Sequence, residues 1–177
     1  PTSSIGFPIL YIFTPASFEL LSQCTAIEQE KMIRRYADTV YRLAYSYVRN
    51  RADADDLFQE VFLRFLRARP VFRDPEHAKA WFIRVTINRA RSFFHSAWRR
   101  HTEPLTEWAG EVTMEERALD EALNRLNKQD RLVIHLHYYE GYSTEEIAEL
   151  TDKRPSSVRS QLTRARGRLR EFLKEDE

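Results

Sequence analysis

Apolar residues return every three or four positions over most of the chain from Ile27 onward, the spacing of one helix face. Ile33, Tyr36, Val40, Leu43 and Tyr47 share such a face, and Arg49, Asn50 and Arg51 mark a turn. A second helix, DADDLFQEVFLRFLRA, follows with Asp53 as its cap and carboxylates in its first turn, where the helix dipole favours them. Its apolar set (Leu57, Phe58, Val61, Phe62, Phe65) is broader than a lone helix pair needs. Pro70 ends it, and Asp74 followed by Pro75 starts a third helix. Ala80, Ile83, Ile87, Ala90 and Phe94 form its buried seam, with a parallel polar stripe of Arg84, Asn88, Arg91, His95 and Arg99. Residues 101–113 contain proline, glycine and acidic side chains with no sustained period, which predicts a linker. Helical spacing resumes at Met114 and runs through Leu119, Leu123 and Leu126; Leu132, Val133, Leu136 and Tyr139 continue it after Asn127.

The last stretch is the most specific. Gly141 suits the left-handed stop of an incoming helix. Ser143 and Glu146 form a capping box, starting a short helix with Ile147, Ala148 and Leu150. Residues 151–154 break the apolar period, and Pro155 or Ser156 begins a longer helix whose stripe is Val158, Leu162, Ala165, Leu169 and Phe172. Short helix, tight turn and longer helix is helix-turn-helix geometry, whose second helix can enter the major groove of DNA. Ser156, Ser157, Arg159, Ser160, Thr163 and Arg164 sit on its first turns, off the apolar stripe. Small hydroxyls permit close approach to phosphate, and arginine can bond guanine O6 and N7 together. A solvated basic helix that reads nothing is the plainer alternative.

The predicted fold is all-α: two small helical domains, an N-terminal helical bundle and a C-terminal four-helix domain with the helix-turn-helix, joined by a flexible linker. The boundaries expected are 27–100, 101–113 and 114–174, with residues 1–26 a poorly ordered extension. Its apolar run Ile5–Phe18 is short and broken by Pro8 and Pro15, so neither a spanning helix nor a signal peptide fits. No membrane insertion and a cytoplasmic location are therefore expected.

Charge changes the picture by its distribution. The 177 residues include 28 Lys and Arg against 27 Asp and Glu, a formal charge of +1. Basic residues crowd Lys79–Arg100 and Lys153–Arg170, and acidic ones crowd Glu103–Glu121. Two basic blocks around an acidic segment predict two separate contacts with a polyanion. Trp81, Phe82 and Phe93 lie near the first block, where aromatics could stack on single-stranded bases or simply fill the core. Cys24 is the only cysteine, which excludes an internal disulfide and a cysteine-rich zinc site. The histidines are scattered; His135 and His137 point to different sides of a helix. No metal, cofactor or catalytic group is expected.

With these stretches in hand, residues Ile27 to Leu173 resemble the extracytoplasmic-function group of bacterial sigma factors, the smallest of the sigma-70 type. DADDLFQEVFLRFL is similar to the family's second conserved region, where a helix binds the clamp helices of RNA polymerase. The resemblance implies polymerase contact by Asp53, Asp56, Leu57, Gln59, Glu60 and Phe62, with the surplus apolar stripe buried in that complex. AWFIRVTINRARSFF resembles the adjoining helix that recognises and helps open the −10 element. Arg84, Asn88, Arg91 and His95 would hold the exposed strand, with Phe72 and Arg73 lining a pocket for an extruded base. YYEGYSTEEIAEL followed by SSVRSQLTRARGRLRE resembles the fourth region, which reads the −35 element as duplex. Partners implied are core RNA polymerase, promoter DNA and an anti-sigma factor. The chain departs from the family pattern at Asp152 and Lys153, where a glycine and an apolar residue are usual. It departs again at Gln161 and His95, where basic residues are common, and at Ser92, where an acidic one is.

Two other classes compete. A two-domain transcriptional regulator would share the helix-turn-helix but would not need Asp53–Leu66 or the Ala80–Phe94 stripe. A nuclease could use Asp53, Asp55, Asp56 and Glu60 around a divalent metal; such sites normally draw ligands from more than one element, and dipole partners explain the carboxylates more simply.

Overall fold

The computed structural model describes the backbone of residues 15–97 and 113–175. Among these residues there are only helices and turns: α1 (Pro15–Val48), α2 (Arg51–Ala68), α3 (Pro75–Ala97), α4 (Met114–Arg125), α5 (Lys128–Ile134), α6 (Thr144–Thr151) and α7 (Pro155–Glu175). A π-helical turn, His135–Tyr139, prolongs α5. The predicted all-α class is what the chain adopts. The expected linker falls outside the described residues except for Thr113, as does residues 1–14 of the extension. Helix α1 begins at Pro15, so residues 15–26 of that extension are helical.

The chain divides into two compact units, one reaching Arg35 and the other running from Tyr36 to Glu177. In the first, Arg34 pairs with Glu30 one turn earlier at 2.7 Å, and Ile27 is exposed. All that follows concerns the second unit.

Helices α1, α2 and α3 pack through rings. Phe82 of α3 is fully buried, stacked on Tyr36 at 4.9 Å and tilted against Phe62 and Phe65 at 5.4 and 5.1 Å. Trp81 and Phe72 close the edge of this cluster, 5.8 Å apart. Such aromatic pairs contribute about 0.5–1.5 kcal/mol each beyond their area. The broad apolar stripe of α2 is thereby used up inside the protein: Leu57 and Val61 have no exposure, and Phe62 and Phe65 are buried. The expectation that Leu57 and Phe62 offer a partner surface is corrected accordingly.

The termini follow their caps. Asn50, not Asp53, caps α2, accepting from the Asp53 backbone N–H at 3.0 Å. Arg69 ends it at φ 44, and Asp74 caps α3 by accepting from the His77 N–H at 2.6 Å. Helix α4 starts at a capping box, Thr113 with Glu116, and α5 at Asn127. Gly141 takes φ 78, as its place between helices requires.

The helices before and after residues 98–112 meet in one core. Leu43, Tyr47, Ile83, Ile87 and Ala90 belong to the same apolar cluster as Leu132, Leu136, Ile147, Val158 and Leu162.

Candidate nucleic-acid interface

The helix-turn-helix forms as its sequence demands. Ser143 and Glu146 make both reciprocal bonds, 3.2 Å from the Glu146 N–H to Ser143 Oγ and 2.8 Å from the Ser143 N–H to Glu146 Oε2. The Ser143 backbone N–H, with its hydroxyl, holds the Glu146 carboxyl below its ordinary range. Helix α6 ends at Asp152, which takes φ 55; the position needs a left-handed residue, and aspartate is among the few non-glycines that tolerate it. Pro155 starts α7. Ser156, Ser157, Arg159, Ser160, Thr163 and Arg164 are all exposed, while Val158, Leu162 and Ala165 are buried behind them. Arg159 leans back on Glu145 of α6 at 2.8 Å, an exposed pair. The Thr163 hydroxyl bonds the Arg159 carbonyl at 3.0 Å, one turn earlier.

Beneath this face lies a polar network that the sequence did not disclose. Lys153 Nζ donates to Gln161 at 2.8 Å and to Gln129 at 3.2 Å. Gln161, 7% exposed, donates onward to Asp130 at 3.1 Å, and Arg168 pairs with the other Asp130 oxygen at 2.9 Å. Asn127 adds a bond to Asp130 at 2.8 Å. Burial lowers the Lys153 amine, and the charge of Arg91 adds to that. Two departures from the family pattern, Lys153 and Gln161, are thus one feature: each is the other's hydrogen-bond partner. Gln161 faces inward and orients α7 on α5. The only hint in the sequence was Asn127 followed three residues later by Asp130.

Helix α3 presents the second basic face. Arg84 and Asn88 are exposed; Arg91 is half-buried, with Nη2 donating to the Thr151 carbonyl at 3.0 Å. His95 lies on α3, its side chain outside the described residues. Phe72 is half-buried against Trp81 and edge-on to His77 at 5.6 Å, and Arg73 is exposed beside it. Val71, before them, is 90% exposed.

The expected polymerase-facing residues separate. Asp56, Gln59 and Glu60 are exposed on α2, Asp53 is half-buried, and Leu57 and Phe62 are inside. Leu63, 49% exposed and not singled out by its spacing, is the aliphatic that α2 does present. Glu60 lies 3.9 Å from Arg89 of α3. Among the described residues, no three His, Cys, Asp or Glu side chains gather closely enough to hold a metal ion. No helix there is long and apolar enough to cross a membrane.

Comparison with known proteins agrees with this arrangement. Residues 32–100 match the family described as sigma-70 region 2, and residues 116–169 match sigma-70, region 4. The chain is 32% identical over 142 residues to the RNA polymerase sigma factor SigV of Bacillus subtilis, covering 77% of this chain and 86% of that protein. It is also 32% identical over 157 residues to the ECF RNA polymerase sigma factor SigE of Mycolicibacterium smegmatis. That alignment covers 81% of this chain but 61% of the relative's length. The fold resembles that of the sigma factor RpoE from Bartonella quintana, solved in complex with the anti-sigma factor NepR. The TM-score is 0.67 at 23% identity, over 84% of this chain and 98% of that one. With both conserved regions matched in order and a relative 32% identical over 86% of its length, the chain belongs to the extracytoplasmic-function group of sigma-70 family RNA polymerase sigma factors.

Proposed function

We propose that this protein joins core RNA polymerase and directs it to a class of promoters, acting in the cytoplasm and performing no catalysis itself. Residues 27–100 form the polymerase and −10 module, and residues 114–174 the −35 module. The observation that carries this reading is the exposed face of α7, where hydroxyls and arginines stand together on the first turns of a helix-turn-helix. Ser156, Ser157, Ser160 and Thr163 lie against phosphate, and Arg159 and Arg164 reach base edges of the −35 duplex. Arg84, Asn88, Arg91 and His95 carry the −10 strand. Phe72 and Arg73 receive an extruded base, whose unstacking costs a few kcal/mol. On α2, Asp56, Gln59, Glu60 and the neighbouring Leu63 meet polymerase, with Asp53 at the edge.

An anti-sigma factor is the expected restraint. The apolar groove between α4, α5 and α7, floored by Leu119, Leu123 and Leu169 and rimmed by Arg166 and Arg170, is a surface such a partner could use. The test is run-off transcription with core polymerase on a promoter library. Transcripts from a defined promoter class support the reading; specific duplex binding by the protein alone, with no polymerase-dependent transcription, sinks it in favour of a conventional regulator.

A further inference from the structure

The two arginines on the reading face of α7 differ in one respect. Arg159 has a carboxylate partner, and Arg164 has none among the described residues. The partner is Glu145, in the first turn of α6. Its two oxygens are divided: Oε1 accepts from Arg159 Nη1 at 2.8 Å, and Oε2 accepts from the hydroxyl of half-buried Thr144 at 2.9 Å. The Thr144 hydroxyl, helped by the Glu145 backbone and by Arg159, holds this carboxyl below its ordinary range, so it is ionised at neutral pH. Both members of the pair stay open to solvent, at 58% and 60% exposure, where an ion pair adds little to folding. Stability therefore does not account for a carboxylate set against an arginine of the reading face.

We propose that Glu145 is a positioning residue for −35 recognition, which aims the Arg159 guanidinium at a guanine and withholds its charge from the phosphates. The proposal rests on the reading of α7 as the −35 helix and adds a residue of α6 to it. The guanidinium is a rigid plane with five N–H donors. With Nη1 committed to Glu145, the edge formed by Nε and Nη2 remains, and such a fork matches guanine O6 and N7. An untethered arginine loses rotamer freedom when it docks, whereas one already held has less to lose. The pair is also neutral as a whole. An unpaired arginine is drawn to any phosphate and raises affinity for all sequences alike. Beside a carboxylate, Arg159 gains little from phosphate and keeps its hydrogen bonds for a base. Arg164, without such a partner, keeps its full charge towards the duplex. Glu145 thus lowers total affinity while sharpening discrimination at one base pair.

The experiment is run-off transcription by the full-length protein with core polymerase, on duplexes randomised across the −35 element, with the products sequenced. Wild type should favour guanine at one position, identified as the one whose preference Arg159→Ala loses. Glu145→Ala should lose preference at that position alone, by about fivefold or more. Holoenzyme binding to promoter-free duplex should tighten in the same variant, and its log–log salt slope should steepen by about 0.9, the value for one phosphate. Glu145→Gln, which keeps an acceptor and loses the charge, should steepen the slope equally and lose less of the preference. Glu149→Gln removes the same charge from an exposed position of α6 outside the pair and should leave the preference unchanged. Full guanine preference in Glu145→Ala, a loss at another position or over the whole element, or an unchanged salt slope overturns the proposal. So does an equal loss in Glu149→Gln, or an Arg159→Ala variant that loses no preference. Absence of transcription from every duplex by wild type defeats the sigma-factor reading instead. The library is then selected by binding to the full-length protein alone, and the same variants at the same position decide the role of Glu145.

Discussion

The two basic helices, α3 and α7, carry similar chemistry in opposite circumstances. On α7 the hydroxyls and arginines of the first turns face solvent, and the polar network that positions them lies behind, centred on Asp130. On α3 the stripe is divided: Arg84 and Asn88 face out, while Arg91 is bonded to the end of α6. A duplex-reading helix can be presented ready-made because its ligand is rigid and arrives from outside. A strand-holding helix is more hazardous to leave open, since any single-stranded polyanion suits it. The proposed function assigns strand holding to α3 and sequence reading to α7.

The largest expected effect comes from the core on which both faces depend. Leu57→Asp puts an unpaired carboxylate at a site with no exposure and should cost more than about 4 kcal/mol, abolishing the cooperative melt and both binding activities together. Leu63→Asp, on the open side of the same helix, should change stability by no more than about 0.5 kcal/mol while removing co-purification with core polymerase. Equal melting curves for the two variants would show that the inner and outer faces of α2 have been confused.

Next in size is the α7 face itself. Arg159→Ala should weaken −35 duplex binding by the holoenzyme by about 1–3 kcal/mol, measured by run-off transcription. It should leave the melting temperature nearly unchanged, because the Arg159–Glu145 pair is exposed at both partners. Asp130→Ala should behave in the opposite way. It strands Gln161 and Arg168 and should destabilise the protein by about 1–3 kcal/mol, with a smaller, sequence-independent loss of DNA binding. If Asp130→Ala instead altered promoter choice, Gln161 would be contacting bases rather than orienting the helix.

Helix periodicity and caps made most of the fold legible, because local rules govern them. Ser143 with Glu146, Asp74 with Pro75, and Gly141 all do what their neighbours in sequence require. The cap of α2 lies three residues before Asp53, at Asn50; both residue types cap well, and the chain's exit from α1 chooses between them. What failed was long-range. The width of the α2 stripe suggests a partner surface, whereas Phe82 on α3 fills much of it, and no spacing within α2 reveals which helix will arrive. The pairing of Lys153 with Gln161 was hidden for the same reason: each looked like an isolated departure until the turn folded them together. The exposure of the α7 face was legible because the apolar period of that helix alone sets it; Arg91's bond to Thr151 was not, because it joins residues 60 positions apart.

The smallest effect, and the most selective probe of the α3 side, is acid. The Glu140 side chain is 7% exposed. Burial works against its charge, yet the nearby His135 ring, 3.7 Å away, and the Lys79 ammonium, 2.8 Å away, more than offset this and hold the carboxyl below its ordinary value of 4.5. In the unfolded chain the same carboxyl binds its proton first as pH falls. Folding stability from this group is therefore fully present above about pH 4.5 and declines as pH drops towards the lower folded value. Wild type should melt above Glu140→Gln at pH 7, and the gap should narrow steadily below pH 4.5. Glu145, also held low but exposed on the α6 side, supplies the control: Glu145→Gln should leave the melting temperature within error at pH 7. A gap that stays constant into acid would mean that Glu140 contributes through packing and not through its charge, and that α3 is held by Arg91 and the apolar cluster alone.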